Sequence, residues 1–139
     1  MMNTSKQSLR LLTHEIVGLA IEVHKELGPG LLETVYEKCL HYELESNGFK
    51  VQKQQTIPIK YKNLELDAEL RFDLLVEDLI IVELKAVQTL LPIFDAQLIS
   101  YLKLMKKPKG LLLNFHTANL TNEGFKSFVN EYYAVLPDF

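Results

Sequence analysis

R-F-D-L-L-V-E-D-L-I-I-V-E-L-K, Arg71 to Lys85, is the stretch on which the fold turns. From Leu64 to Val76 the even positions are apolar: Leu64, Leu66, Ala68, Leu70, Phe72, Leu74 and Val76. The odd ones include Glu65, Asp67, Glu69, Arg71 and Asp73. Period two with one apolar and one charged face predicts a strand. After Glu77-Asp78, Leu79 to Lys85 predicts another strand, nearly pure apolar until Glu83 and Lys85 share one face. The two strands are expected to form an antiparallel hairpin, and its register decides which charges meet. A two-residue turn sets Phe72 against Glu83 and mixes apolar with charged residues on both faces. A three-residue loop centred on Asp78 sets Asp73 against Glu83 and Arg71 against Lys85. It also gathers Phe72, Leu74 and Val76 with Leu84, Val82 and Ile80. A slip of one residue exposes a whole apolar set, so the three-residue loop or an equivalent bulge is expected.

Two carboxylates about 5 Å apart across a ladder repel unless something neutralises them. Lys85 and Arg71 could do so as a solvated charge lattice, and a divalent cation could do so better. Hard cations take carboxylate oxygens and keep several waters. A bound metal lowers the pKa of water and stabilises charge developing on a phosphate, and a neighbouring lysine can orient the attacking water. Asp73, Glu83 and Lys85 are therefore parts suited to phosphodiester hydrolysis. A charged sheet edge is the bland alternative. The apolar run before Glu83 speaks against it, because stray charges are unusual on a central strand.

Outward from this hairpin, the chain reads as helices and strands in alternation. Ile16, Ala20, Val23 and Leu27 predict a helix over 12–27 with Thr13 as cap and Gly28 behind it. A second helix is expected over 31–47. With Gly30 as its cap, Glu33 holds the third helical position, where the free amides favour an acid. Yet Glu33, Tyr36, Leu40 and Leu44 form one stripe, which points the carboxylate inward. Ile57, Ile59 and Tyr61 suggest a strand, and Pro58 argues that it lies at an edge or bulge. A helix over 92–106 carries the stripe Phe94, Leu98, Tyr101 and Met105. Residues 110–115, apolar on both faces, read as a central strand. Thr121 could cap a last helix through Val129, and 132–139 is left unassigned. The order is α-α-β-β-β-α-β-α: an α/β domain with a mixed sheet covered by helices. One domain over 1–139 is expected, with a flexible N-terminus over 1–11.

Other polar residues carry weaker signals, each with a plainer role beside it. Gln97 and Tyr101, four apart, share a helix face, and a buried glutamine needs a partner. Lys103, Lys106, Lys107 and Lys109 make a basic run that either complements a helix dipole or holds a nucleic-acid backbone. His24 reads as a core histidine. His14, His41 and His116 have no metal-ligand spacing. The single cysteine, Cys39, excludes an intrachain disulfide, a four-cysteine iron–sulfur site and a cysteine-rich zinc site. No run of about 18 apolar residues predicts a membrane span. The N-terminus has no secretion pattern, so a cytoplasmic location is expected. The net charge of −3 does not advertise nucleic-acid binding, although a metal and a lysine cluster can still make one positive face.

Taken together, Gly30 to Tyr36 (G-L-L-E-T-V-Y), VHKELGPGLLETVYEKCL around it, RFDLLVEDLIIVELKA, AQLISYLKL and GLLLNF resemble the GxxExxY protein family. That family looks like a compact branch of the PD-(D/E)XK nuclease superfamily, and the resemblance covers roughly residues 12–130. It implies a restriction-endonuclease-like αβββαβ core with Asp73, Glu83 and Lys85 as the catalytic triad. It also implies that Glu33 joins Asp73 and Glu83 at a magnesium or manganese ion, as in the RecB-like exonuclease branch. The carbonyl of Leu84 is a further candidate ligand. Gln97 and Tyr101 match the Q-x-x-x-Y element of that branch. With Arg71 and Tyr36 they are the candidates for positioning substrate. Phe72 stands where the superfamily has the proline of its name, and the iron–sulfur cysteines of some relatives are missing. The expected function is a metal-dependent nuclease acting on nucleic acid, DNA before RNA, with a homodimer kept open. The alternative is a catalytically silent nucleic-acid- or protein-binding accessory module on the same fold.

Overall fold

The computed structural model describes residues 4–53 and 55–139. Helix α1 (Lys6–Leu27) begins well before the expected start. Its cap is Ser5, whose Oγ accepts from the Ser8 N–H while Ser8 Oγ accepts from the Ser5 N–H. Residues 6–11, expected to be flexible, are thus the first turns of a capped helix. The Lys6 and Gln7 amides are further tied to the carbonyls of Pro137 and Asp138. Thr13, expected as the cap, lies inside the helix and donates its hydroxyl to the Leu9 carbonyl. Gly28 ends α1 at φ 70°, a left-handed value that glycine adopts at little cost, and returns its N–H to His24. Helix α2 (Glu33–Ser46) starts with Glu33 as its first residue, not its third, after Leu32 at the cap.

Among the described residues seven strands follow: β1 (Val51–Gln52), β2 (Gln55–Tyr61), β3 (Leu64–Leu70), β4 (Leu74–Val76), β5 (Ile80–Lys85), β6 (Lys109–Asn114) and β7 (Phe125–Val129). Helix α3 (Pro92–Met105) joins β5 to β6, α4 (Leu120–Glu123) precedes β7, and α5 (Glu131–Ala134) lies in the tail. Five strands form one sheet in the order β1-β4-β5-β6-β7, with β5 at its centre. β5 and β6 pair in parallel and the other neighbours in this sheet antiparallel, so the sheet is mixed as expected. The architecture is consistent with a restriction-endonuclease-like fold.

Three expectations need correction. The strand foreseen over 64–76 is two strands in different sheets. β3 pairs with β2 in a separate ribbon, where Pro58 sits opposite Asp67 on a two-stranded sheet that is all edge. The chain leaves β3 at Leu70 and re-enters the main sheet at Leu74. Phe72 therefore does not share a face with Leu74; it packs on the opposite side of the sheet. Finally, the last expected helix is the short α4 followed by strand β7. Period two governs Phe125 and Phe128 only loosely, because β7 is a half-exposed edge strand.

The hairpin register is the expected one. Leu74, Leu75 and Val76 face Val82, Ile81 and Ile80 across the three-residue loop 77–79. Burial explains why this register wins. Leu74, Val76, Ile80, Val82 and Leu84 pack under α1 and α2 with Ile16, Ala20, Tyr36, Leu40 and Leu44. Leu75 and Ile81 point the other way, into Leu98, Tyr101 and Leu102 of α3. Each large side chain fully buried is worth about 1.5–3 kcal/mol, so a slip that misplaced several would cost more than a small domain can spare. By the same alternation Glu83 and Lys85 follow Ile81 onto the α3 side.

Candidate active site

Asp73 lies one residue before β4 and extends its register, which brings it beside Glu83. The Asp73 N–H donates to Glu83 Oε1 at 2.8 Å, and the Leu84 N–H donates to Asp73 Oδ2 at 2.8 Å. Each carboxylate is thus oriented by the backbone beside the other, and one oxygen of each lies outside these bonds. Glu83 is 6% exposed and Asp73 is half-buried. Burial pushes the Asp73 carboxyl up to about 6, offset in part by the Leu84 amide and Lys85; Glu37 and Glu33 push it further. Burial likewise pushes Glu83 up to about 8, followed by the charge of Asp73, against the Asp73 amide and Lys85. These two groups are short of positive charge.

Lys85 supplies part of it. Its Nζ sits 4.5 Å from the ring centroid of Phe94, in the first turn of α3, which holds the ammonium at the end of β5. Further along α3, Gln97 Nε2 donates to Tyr101 Oη at 2.9 Å. Tyr101 is buried, and its hydroxyl titrates above its usual range through burial and then the charge of Glu83. The Gln97–Tyr101 pair therefore borders the carboxylates. Arg71 is exposed just ahead of Phe72 and Asp73.

Tyr36 does not stand at this surface. It is fully buried and stacked on Phe115 at 4.5 Å. Its hydroxyl donates to the Gly28 carbonyl at 2.6 Å and accepts from the Leu31 N–H at 3.1 Å. The expected substrate-positioning role gives way to a structural one. Tyr36 staples the loop 28–31 onto α2 and so fixes where Glu33 begins the helix. Glu33 is half-buried and is the last of the groups acting on Asp73. Glu37, one turn further, acts more strongly on Asp73 and also on Glu83. It was missed because it lies one position beyond the Tyr36 stripe; its i+4 spacing from Glu33 was the available signal.

The lysine run does not form one basic face. Lys103 and Lys106 are exposed, Lys107 pairs with Asp78 at 2.9 Å, and Lys109 is buried on β6. Burial and the nearby Arg10 lower the Lys109 pKa. The run also lies at the far end of α3, about 20 Å of helix from the end that touches Lys85. His24 is the core histidine expected, with Nε2 bonded to the Thr117 carbonyl.

Metal fit rests on Asp73 and Glu83. Among the described residues no three His, Cys, Asp or Glu groups stand together as a metal cluster, so Glu33 is not drawn into the pair as the side chains lie. Two buried, hard-oxygen donors whose repulsion a cation would relieve suit a divalent ion that completes its shell with water. At the start of α2 a shallow pocket of about 350 Å³ is lined by Leu31, Leu32, Glu33, Thr34 and Ala86. Among the described residues no helix is long and apolar enough to cross a membrane.

A family model described as the PD-(D/E)XK nuclease superfamily matches residues 10–128. Its members generally use divalent metal ions. No curated protein and no solved structure matches the chain.

Proposed function

Because the chain belongs to the PD-(D/E)XK nuclease superfamily, we propose that it is a divalent-metal-dependent nuclease that hydrolyses phosphodiester bonds, in DNA before RNA. The observation that carries this is the cross-braced Asp73–Glu83 pair with Lys85 beside it. Within the superfamily we place it in the GxxExxY branch on Gly30, Glu33 and Tyr36, near the RecB-like exonucleases on Gln97 and Tyr101. It works as one domain over residues 1–139, in the cytoplasm.

Asp73 and Glu83 would hold magnesium or manganese, with the Leu84 carbonyl as a further ligand and Glu33 adding negative charge from α2. When bound, that ion lowers the pKa of a water and stabilises charge on the phosphate. Lys85 orients the attacking water and, held by Phe94, meets charge that develops on phosphorus. The water oxygen bonds to phosphorus, the bond to one ester oxygen breaks, and that oxygen takes up a proton. The products are a phosphate monoester and a hydroxyl. Gln97 and Tyr101 wall the site and keep Lys85 and substrate in place, and Arg71 contacts the phosphate backbone.

The test is cleavage of supercoiled plasmid and of single strands with manganese, by the wild type and by Lys85→Ala. Cutting by the wild type alone supports the reading. If both folded proteins are inert, the enzyme reading fails and the silent accessory module takes its place. If both cut equally, Lys85 has been misassigned.

A further inference from the structure

We infer that Asn114 is a positioning residue for Lys85: its side-chain amide clamps the backbone that leaves the lysine, and so fixes the ammonium relative to Phe94. The inference rests on the nuclease reading above and deepens it.

Asn114 is the last residue of β6 and 3% exposed, on a strand that is buried throughout. An amide buried there needs partners. Asn114 Oδ1 accepts from the Val87 N–H at 3.1 Å, and Nδ2 donates to the Val87 carbonyl at 2.9 Å. Oδ1 also accepts from the His116 N–H at 3.2 Å. One side chain thus holds both main-chain groups of Val87, as a paired strand would hold them. The Phe115 N–H adds a bond to the Lys85 carbonyl at 2.8 Å. β5 ends at Lys85, so these bonds carry its attachment to β6 past the lysine to Val87.

The place of the clamp gives it a role beyond its own bonds. Asn114 stands beside Lys85 in the parallel ladder. Leu113 packs under α1 and α2 and Leu112 under α3, so alternation puts Asn114 on the α3 side with Lys85. Lys85 ends in a point charge on a flexible stem. Among the described residues no hydrogen bond or ion pair holds its Nζ. The Phe94 ring at 4.5 Å does, with the charges of Asp73 and Glu83 acting beside it. That ring can seat the ammonium only if the end of β5 and the start of α3 keep their spacing. Residues 86–91 make the link, and Val87 is where Asn114 pins it. Misplacing a catalytic group by about 1 Å can cost about a hundredfold in rate. A purely structural amide would instead cost stability and leave Lys85 undisturbed.

The experiment uses NMR of protein carrying labelled lysine ε-carbons and follows the Lys85 methylene, which the Phe94 ring current moves upfield. Lys85→Arg identifies the signal by its loss, and Phe94→Leu shows its position without the ring. Asn114→Ala is expected to move the signal toward that position. It is also expected to lower kcat for manganese-dependent cleavage at least about tenfold, with KM within about threefold. Asn130→Ala is the control. It removes another asparagine bonded to backbone groups, at the end of α3 away from Lys85, and leaves signal and kcat unchanged. Circular dichroism confirms that each variant is folded. If Asn114→Ala does not fold, Asn114→Asp decides in its place. It keeps the shape and the acceptor oxygen but loses the donor to Val87, and it too is expected to move the signal. A folded variant with the Lys85 signal in place overturns the inference whatever its rate, and so does a moved signal with unchanged kcat. Equal losses in Asn130→Ala reduce the effect to stability and overturn it as well. If the wild type cuts nothing, the nuclease reading has failed, and the Lys85 signal alone decides whether Asn114 seats the lysine.

Discussion

The carboxylates of Asp73 and Glu83 hold each other through the main chain: the Asp73 amide bonds Glu83 Oε1, and the amide following Glu83 bonds Asp73 Oδ2, both at 2.8 Å. The bonds fix geometry, but they do not remove the repulsion between two buried acids. The first consequence is a dependence of stability on pH.

In the unfolded chain these groups titrate at 3.8 and 4.5; in the fold they are pushed up to about 6 and about 8. Between roughly pH 4 and 8 the folded state thus binds more protons than the unfolded one, and stability falls as pH rises through that window. The loss is on the order of a few kcal/mol for the pair. Melting in chelator should give a lower Tm at pH 8.5 than at pH 5.5. Glu83→Gln should flatten the difference, and manganese should restore the Tm at high pH. A wild-type Tm that rises from pH 5.5 to 8.5 in chelator would contradict the raised values.

Removing charge from α2 tests the residue that the sequence did not single out. Glu37→Gln should lower the pKa of both Asp73 and Glu83, whereas Glu33→Gln should act on Asp73 and by less. Carboxyl-carbon NMR titrations of the two variants compare them directly. A larger effect from Glu33 would place the wrong glutamate nearer the site.

Tyr36→Phe should cost stability and leave the stack on Phe115 in place. The change strands the Leu31 amide and the Gly28 carbonyl that the hydroxyl now joins. Loss of these part-buried bonds should cost about 1 kcal/mol, readable in urea unfolding with an unchanged m value. An unaltered midpoint would mean that water replaces the hydroxyl without penalty.

Lys109→Met should be neutral or stabilising by about 1 kcal/mol. The lysine is 8% exposed, has Arg10 rather than an acid beside it, and titrates below its ordinary value because burial disfavours its charge. Its folded pKa is depressed, so the destabilisation is present at neutral pH and fades as pH rises through that value. Thermal melts at pH 7 should show the variant at or above the wild type. A clear drop would reveal an interaction of the ammonium worth keeping.

The sequence made the Asp73–Glu83 meeting legible because register is a global constraint. One choice of loop sorted Leu74, Val76, Ile80 and Val82 from the charges, and the other did not. The break at Arg71–Asp73 was not legible, because alternation continues unbroken from Leu64 to Val76 while the chain changes sheets. Periodicity records which residues want burial, not which sheet buries them. The start of α1 was missed for a related reason. Ser5 with Ser8 is a reciprocal cap without the acid that usually marks one, and Thr13 offered a nearer hydroxyl. Tyr36 sat on the stripe with Glu33, so nothing in spacing could tell that its hydroxyl turns back to Gly28.

The parallel pairing of β5 and β6 also sets an order in time. Glu83 and Lys85 leave the ribosome before Leu112 and Asn114, the residues beside them in the finished sheet, and before α3 brings Phe94 and Tyr101. The hairpin alone can join the two acids, since both of their bonds lie within residues 73–84. Lys85, however, has no Phe94 ring to rest on and no Gln97–Tyr101 wall beside it until α3 has followed. The order of the chain thus pairs the carboxylates before it seats the lysine.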